Sequence, residues 1–62
     1  MTNVELTDRQ KQAEAEQTAM LAEDYAKETG DAEDWKIAAR IWKNAGNNFK
    51  YNFCMGMAEA SD

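Results

Sequence analysis

The chain contains no proline and only three glycines in its 62 residues. Proline breaks a helix interior and glycine weakens it, so long helices meet few stops along this sequence. The sequence therefore predicts an all-α fold, built as an antiparallel helical hairpin with two arms of roughly equal length. Residues 1–62 are expected to form one small helical domain, with residues 1–6 and 59–62 frayed at its ends.

The first helix has a recognisable start and end. Thr7 and Gln10 fit a capping box, in which each side chain bonds the backbone amide of the other residue. Gly30 suits the left-handed residue that follows a helix, so the helix should run from Thr7 to about Glu28. Small side chains repeat along it at spacings of four, three and four residues and predict close packing of a partner helix: Ala15, Ala19, Ala22 and Ala26.

The second helix is expected to start at Asp31 or Glu33, either of which can serve its N-terminus. Apolar residues recur every three or four positions from Trp35 to Phe49, as expected for one buried helix face. Gly46 interrupts this face. We expect the helix to continue through Gly46 with a bend, because the apolar spacing carries on and an interior glycine costs only about 1 kcal/mol. The alternative is that Gly46 ends the helix and a third helix starts at Phe49.

The small size of the chain constrains its stability. A domain of this length buries only about 60% of the surface that its unfolded chain exposes. Small cores are usually supplemented by disulfides, metal ions or partner chains, and a chain with one cysteine and no histidine leaves mainly the last. We therefore predict a homodimer arranged as a four-helix bundle. The interface with the second copy or another partner is assigned to the apolar stripe, which is wider than one helix can cover: Trp35, Ala38, Ile41, Trp42, Ala45, Phe49 and Phe53.

Charge is unevenly distributed along the chain. The net charge is −5, yet four bases and no acid lie between Trp35 and Lys50. On a continuous helix these bases form a stripe that can face phosphates: Lys36, Arg40, Lys43 and Lys50. A nucleic-acid binder using this stripe is one alternative function, and an acidic mimic of nucleic acid is another. The simpler interpretation is a solvated face that pairs with acids of the first helix, and the acidic net charge argues against nucleic acid as a partner.

The sequence contains no residue pattern for catalysis or metal binding. Without histidine there is no base to activate Cys54, which is best interpreted as a small buried hydrophobe. The acids in TGDAEDW lack the ligand spacing of a calcium loop. We therefore expect no enzymatic activity, no cofactor and no metal.

The expected location is the cytoplasm. No apolar segment approaches the ~20 residues that span a bilayer, so no membrane association is expected. The first 20 residues contain neither an apolar core nor a basic leader of the signal-peptide type. A lone cysteine is typical of a reducing compartment.

The segment YAKETGDAEDWKIAARIWKNA resembles a known family. It is similar to the Gly-Asp-aromatic, Ala-Ala, Leu-Trp and Ala pattern of the small ANR-type transcriptional regulators of phages and plasmids. The positions that carry this likeness, together with a looser Asn and Cys pair, are Gly30, Asp31, Trp35, Ala38, Ala39, Trp42, Ala45, Asn48 and Cys54.

In size, acidity and helical character the chain also resembles the small early proteins encoded between exonuclease and excisionase in lambdoid phages. Both resemblances imply a small helical protein of a bacteriophage or another mobile element, located in the host cytoplasm. They also imply that it modulates host or phage regulation by binding a regulatory protein.

Overall fold

The computed structural model describes residues 4–61, with side chains described from residue 9 onward. The described chain is entirely helical, with α1 at Val4–Thr29, α2 at Ala32–Asn44 and α3 at Asn48–Ser61. Very short connections join consecutive helices, so α2 runs antiparallel to both of its neighbours. α1 and α3 each pack on α2 and contact one another much less. The all-α prediction is confirmed.

α1 is longer than the sequence signals predict. It begins at Val4, so Thr7 lies inside the helix and the capping-box start is wrong. No glycine or proline lies before Thr7, and nothing there stops the helix from extending toward the N-terminus. The predicted end is correct to within a residue, because Gly30 has φ +69° and its amide bonds the carbonyl of Ala26 at 2.8 Å. The 26 residues of α1 rise about 39 Å, roughly twice the length of either other helix.

The start of α2 is set by side-chain caps. Asp31 is the N-cap residue, and its carboxylate accepts a hydrogen bond from the Glu33 amide at 3.0 Å. The Thr29 hydroxyl donates to Asp34 at 2.7 Å across the same turn. Of the two residues predicted to serve the start of this helix, Asp31 and Glu33, the structure uses Asp31 as the cap and places Glu33 in the first turn.

The predicted continuation of the second helix through Gly46 is wrong. Gly46 has φ +85°, in the left-handed region, and α2 ends at Asn44. The Gly46 amide bonds the Lys43 carbonyl and the Asn47 amide bonds the Trp42 carbonyl, each at 3.0 Å, which together form a Schellman motif. The alternative of a third helix is the one that the structure adopts.

Asn47 makes this break a junction between two helices. Its side-chain oxygen accepts a hydrogen bond from the Lys50 amide at 3.0 Å, as an N-cap residue does. Gly46 therefore ends α2 and Asn47 starts α3, and α3 turns back along α2. The hairpin of two equal arms is replaced by a row of three helices with α2 in the middle.

The core lies on both sides of α2. The alanine seam of α1 is confirmed as a packing surface, because Ala19 and Ala26 are fully buried and Ala22 packs beside them. Cys54 and Ala58 of α3 are buried on the other side. The aromatic residues of α2 lie between these two layers, and the Trp35 ring meets the Phe53 ring edge-on at 6.1 Å. Small side chains in both outer helices let α2 approach them closely.

Candidate functional site

The predicted interface residues fall into two groups. Trp35, Ala38, Trp42 and Ala45 are buried within the chain's own core, and Ile41 is partly buried against it. Phe49 and Phe53 remain exposed, at 79% and 42%. Because α3 covers much of the stripe on α2, the stripe itself offers little surface to a second chain. The exposed part of the predicted interface lies on α3.

The exposed side of α3 carries four residues that we call the α3 face. These are Phe49, Phe53, Gly56 and Ala60, all exposed and spaced by four, three and four positions. This spacing puts them on one side of a helix. The only charged residues within α3 are Lys50 and Glu59, so the helix is nearly uncharged. The four residues of the face are apolar, and exposed Asn52 and Glu59 border them on the same side of the helix.

The predicted basic stripe is divided by the break at Gly46. Lys36, Arg40 and Lys43 line one cleft between α2 and α3, with a volume of about 270 Å³, and Tyr51 and Met55 form its other wall. The Lys43 ammonium lies 5.2 Å from the centre of the Tyr51 ring. Lys36 also forms an exposed ion pair with Glu33 at 3.6 Å. We call this site the basic cleft.

Lys50 does not belong to the basic cleft. It lies in a second groove, between α1 and α3, where its ammonium bonds the Glu23 carboxylate at 3.0 Å. The same ammonium lies 5.4 Å from the Trp42 ring centre and 5.1 Å from that of Phe53. Its charge is therefore used inside the fold, and the phosphate-facing set predicted from the sequence is reduced from four bases to three.

Glu23 is the polar centre of the fold. Its side chain is only 6% exposed, and it accepts hydrogen bonds from the Trp42 indole at 2.9 Å and from Lys50 at 3.0 Å. Lys27 approaches it at 3.4 Å from the next turn of α1. Burial raises the pKa of the Glu23 carboxyl, but the two hydrogen bonds and the positive charges of Lys50 and Lys27 outweigh burial and hold the pKa below its ordinary value. Glu23 is thus a charged group that joins all three helices.

Sequence reasoning did not single out Glu23, although a signal was present. Glu23 follows Ala19 by four positions and precedes Ala26 by three, so it lies on the alanine seam itself. A carboxylate at a buried helical position requires partners, because an unpaired buried charge is costly. The tryptophan and lysine that supply them come from α2 and α3, which the sequence does not place.

Cys54 is enclosed by the fold. Cys54 is fully buried, and burial, together with the negative charge of Glu23, raises the pKa of its thiol. A buried thiol with a raised pKa is protonated at neutral pH and is a poor nucleophile. Among the side chains that the structure describes, from residue 9 to residue 61, metal-ligating groups nowhere gather in threes closely enough to hold an ion.

Comparison with protein families, curated proteins and solved structures finds no significant match to this chain. No helix within the described residues combines the length and apolar character needed to cross a bilayer. The site must therefore be interpreted from its own residues.

Proposed function

We propose that the chain is a non-enzymatic helical interaction protein that acts by binding other protein chains through the α3 face. The observation that carries this proposal is the exposure of Phe49 and Phe53 on a nearly uncharged helix. In the biological setting implied by the sequence resemblance, a phage or another mobile element encodes the protein, and it modulates host or phage regulation in the host cytoplasm.

The energetic argument concerns Phe49. Its side chain is 79% exposed, so it contributes little to the chain's own core. Fully burying a phenylalanine is worth about 1.5–3 kcal/mol, which makes an exposed one an effective anchor for a partner. Phe53 lies one turn away on the same side of the helix, so a partner can cover both rings at once.

Self-association is part of this proposal. A 62-residue chain has a small core, and the three helices leave the α3 face uncovered. A homodimer that covers this face would bury the parts of Phe49 and Phe53 that the described residues leave exposed. Trp42 is unsuitable for testing it, because Trp42 is buried inside the single chain and its truncation would unfold the monomer.

The experiment compares two lysine substitutions. Phe49→Lys places a charge on the α3 face, and Leu21→Lys places one on α1, where Leu21 is similarly exposed at 66%. We expect Phe49→Lys, and not Leu21→Lys, to reduce the mass measured by light scattering and to remove a specific protein captured from a bacterial host lysate. Both variants should keep the helical circular dichroism of the wild type. If Phe49→Lys and Leu21→Lys have the same mass in solution and capture the same protein, the proposed role of the α3 face is contradicted.

The basic cleft supports a second candidate function, which is binding of nucleic-acid phosphates. Its favouring observation is that Lys36, Arg40 and Lys43 line one cleft. We expect Arg40→Gln to weaken binding to a fluorescent generic duplex at low salt, whereas Lys11→Gln on exposed α1 should have little effect. Phosphate binding falls steeply with added salt.

Salt dependence separates the two candidate functions. Two copies that each carry a net charge of −5 repel one another, so added salt should leave their self-association unchanged or strengthen it. If the fluorescence anisotropy of the duplex does not rise when the protein is added at low salt, the nucleic-acid candidate is excluded.

A further inference from the structure

The large and small residues of the α3 face are separated along the helix in a way that suits pairing with a copy of the same helix. Along the chain the face presents two large residues and then two small ones, in the order Phe49, Phe53, Gly56 and Ala60. Their spacing of four, three and four positions is the heptad spacing of helices that pack side by side. Large residues thus occupy the first half of the helix face and small residues the second half.

We infer that two copies of the chain pair their α3 helices antiparallel, with the midpoint of the pairing between Cys54 and Met55. In an antiparallel pair with this midpoint, Phe49 lies level with Ala60 of the second copy. Phe53 likewise lies level with Gly56 of the second copy. Every layer then contains one large and one small residue, which is the arrangement that fills a helix interface without gaps. This inference rests on the self-association proposed above and specifies its surface and register.

Gly56 supplies an independent reason to place a second chain here. It lies in the interior of α3, where glycine costs about 1 kcal/mol relative to alanine. A Cβ atom added at Gly56 would meet nothing within 4 Å, so the chain's own packing does not require glycine at this position. In the antiparallel pair the missing side chain leaves room for the Phe53 ring of the second copy. The glycine is then explained by a contact between chains.

The charge distribution favours the same surface. α1 carries most of the acids of the chain, and two acidic α1 helices would repel each other. The α3 face lies on the helix with the fewest charges, and Lys50 is already neutralised by Glu23. Two α3 helices can therefore meet at the α3 face without burying the Lys50 charge, and exposed Glu59 lies at the edge of that face.

A parallel pairing of the same helices fits poorly. It would place Phe49 against Phe49 and Gly56 against Gly56 of the second copy. The first layer would be crowded and the second would contain a cavity, and both defects destabilise an interface. The order of sizes therefore selects the antiparallel register.

The test uses two charge substitutions at exposed positions, neither of which touches the chain's core. Phe49→Lys and Ala60→Glu should each weaken the wild-type dimer by about tenfold or more, because every dimer contains two layers formed by these positions. An equimolar mixture of the two variants should form a heterodimer. In that heterodimer Lys at position 49 faces Glu at position 60, and the other such layer keeps its native Phe49 and Ala60. Sedimentation equilibrium measures all three samples, and Leu21→Lys is the control that should dimerise as the wild type does.

Each outcome decides the inference. Dissociation of both single variants together with recovery in the mixture supports the antiparallel register. Dissociation of both without recovery overturns that register. If the wild type is a dimer and neither substitution weakens it, the chain self-associates through another surface and the inference is overturned. A folded wild-type monomer at high micromolar concentration overturns both the inference and the self-association, and capture of a foreign protein through Phe49 is then tested separately by the lysate experiment.

Discussion

Replacement of Glu23 by alanine should strongly destabilise the fold. The substitution removes the acceptor of the buried Trp42 indole N–H and the partner of Lys50. An indole N–H left buried without an acceptor costs about 1–3 kcal/mol. The Lys50 side chain is 30% exposed and can turn toward water, so loss of its ion pair with Glu23 adds less than about 1 kcal/mol. Together we expect a loss of about 2–3 kcal/mol.

A loss of this size is large for so short a chain. Domains are stable by about 0.05–0.15 kcal/mol per residue, which is roughly 3–9 kcal/mol here. The melting temperature should fall by about 10–20 °C, since 1 kcal/mol corresponds to roughly 4–8 °C in domains of this size. Urea and thermal unfolding followed by circular dichroism at one fixed protein concentration would measure both quantities.

The matched control is Asp24→Ala, which removes an exposed acid one position away and should change stability by less than about 0.5 kcal/mol. A second comparison isolates the indole. In a Trp42→Phe background no buried N–H remains to be orphaned, so Glu23→Ala should cost about 1–2 kcal/mol less than in the wild type. Identical unfolding midpoints for Glu23→Ala and Asp24→Ala would refute the structural role of this network.

Three further predictions concern Gly46, Glu23 and Cys54. Gly46→Ala should destabilise by about 1–2 kcal/mol, because alanine is strained at φ +85°, while Gly46→Asn should lose less in the same urea titration. The pKa of Glu23 is lower in the folded state than its ordinary value of 4.5. Its contribution to stability is therefore fully present above pH 4.5 and is lost as the pH falls through the lowered pKa. Glu23→Gln should reduce the loss of unfolding free energy at acid pH. Cys54 should react with a thiol reagent at neutral pH only as fast as the chain opens, and a native protein that labels at the rate of a free thiol would show that the site is accessible.

The parts of the fold that local chemistry determines could be predicted from the sequence. Gly30 ends α1 and Asp31 caps α2, since each acts on backbone groups only a few positions away. The alanine seam and the buried stripe of α2 follow from periodicity alone. The prediction that α1 starts at Thr7 was wrong because a capping motif shows where a helix can start. It does not prevent the preceding residues from being helical.

The break at Gly46 could not be decided locally. An interior glycine and a left-handed cap differ by only about 1 kcal/mol, so packing far along the chain determines the choice. Turning α3 back buries Cys54 and Ala58 and brings Phe53 onto Trp35. The stability gained by this burial depends on contacts between two helices. The spacing of apolar residues along one helix carries no information about such contacts.

The conformation of Gly46 also determines which surfaces are available for function. If the second helix ran straight through, Lys50 would extend the row formed by Lys36 and Lys43, and Phe49 would extend the buried stripe of α2. Because the chain reverses, Lys50 is drawn to Glu23 on the opposite side of α2, and Phe49 is carried to the outside. The same turn that shortens the candidate phosphate surface therefore creates the apolar face on α3. The three-helix fold therefore supports the interaction proposal, because it exposes Phe49. It weakens the nucleic-acid alternative, because one of the four predicted cations is paired inside the fold.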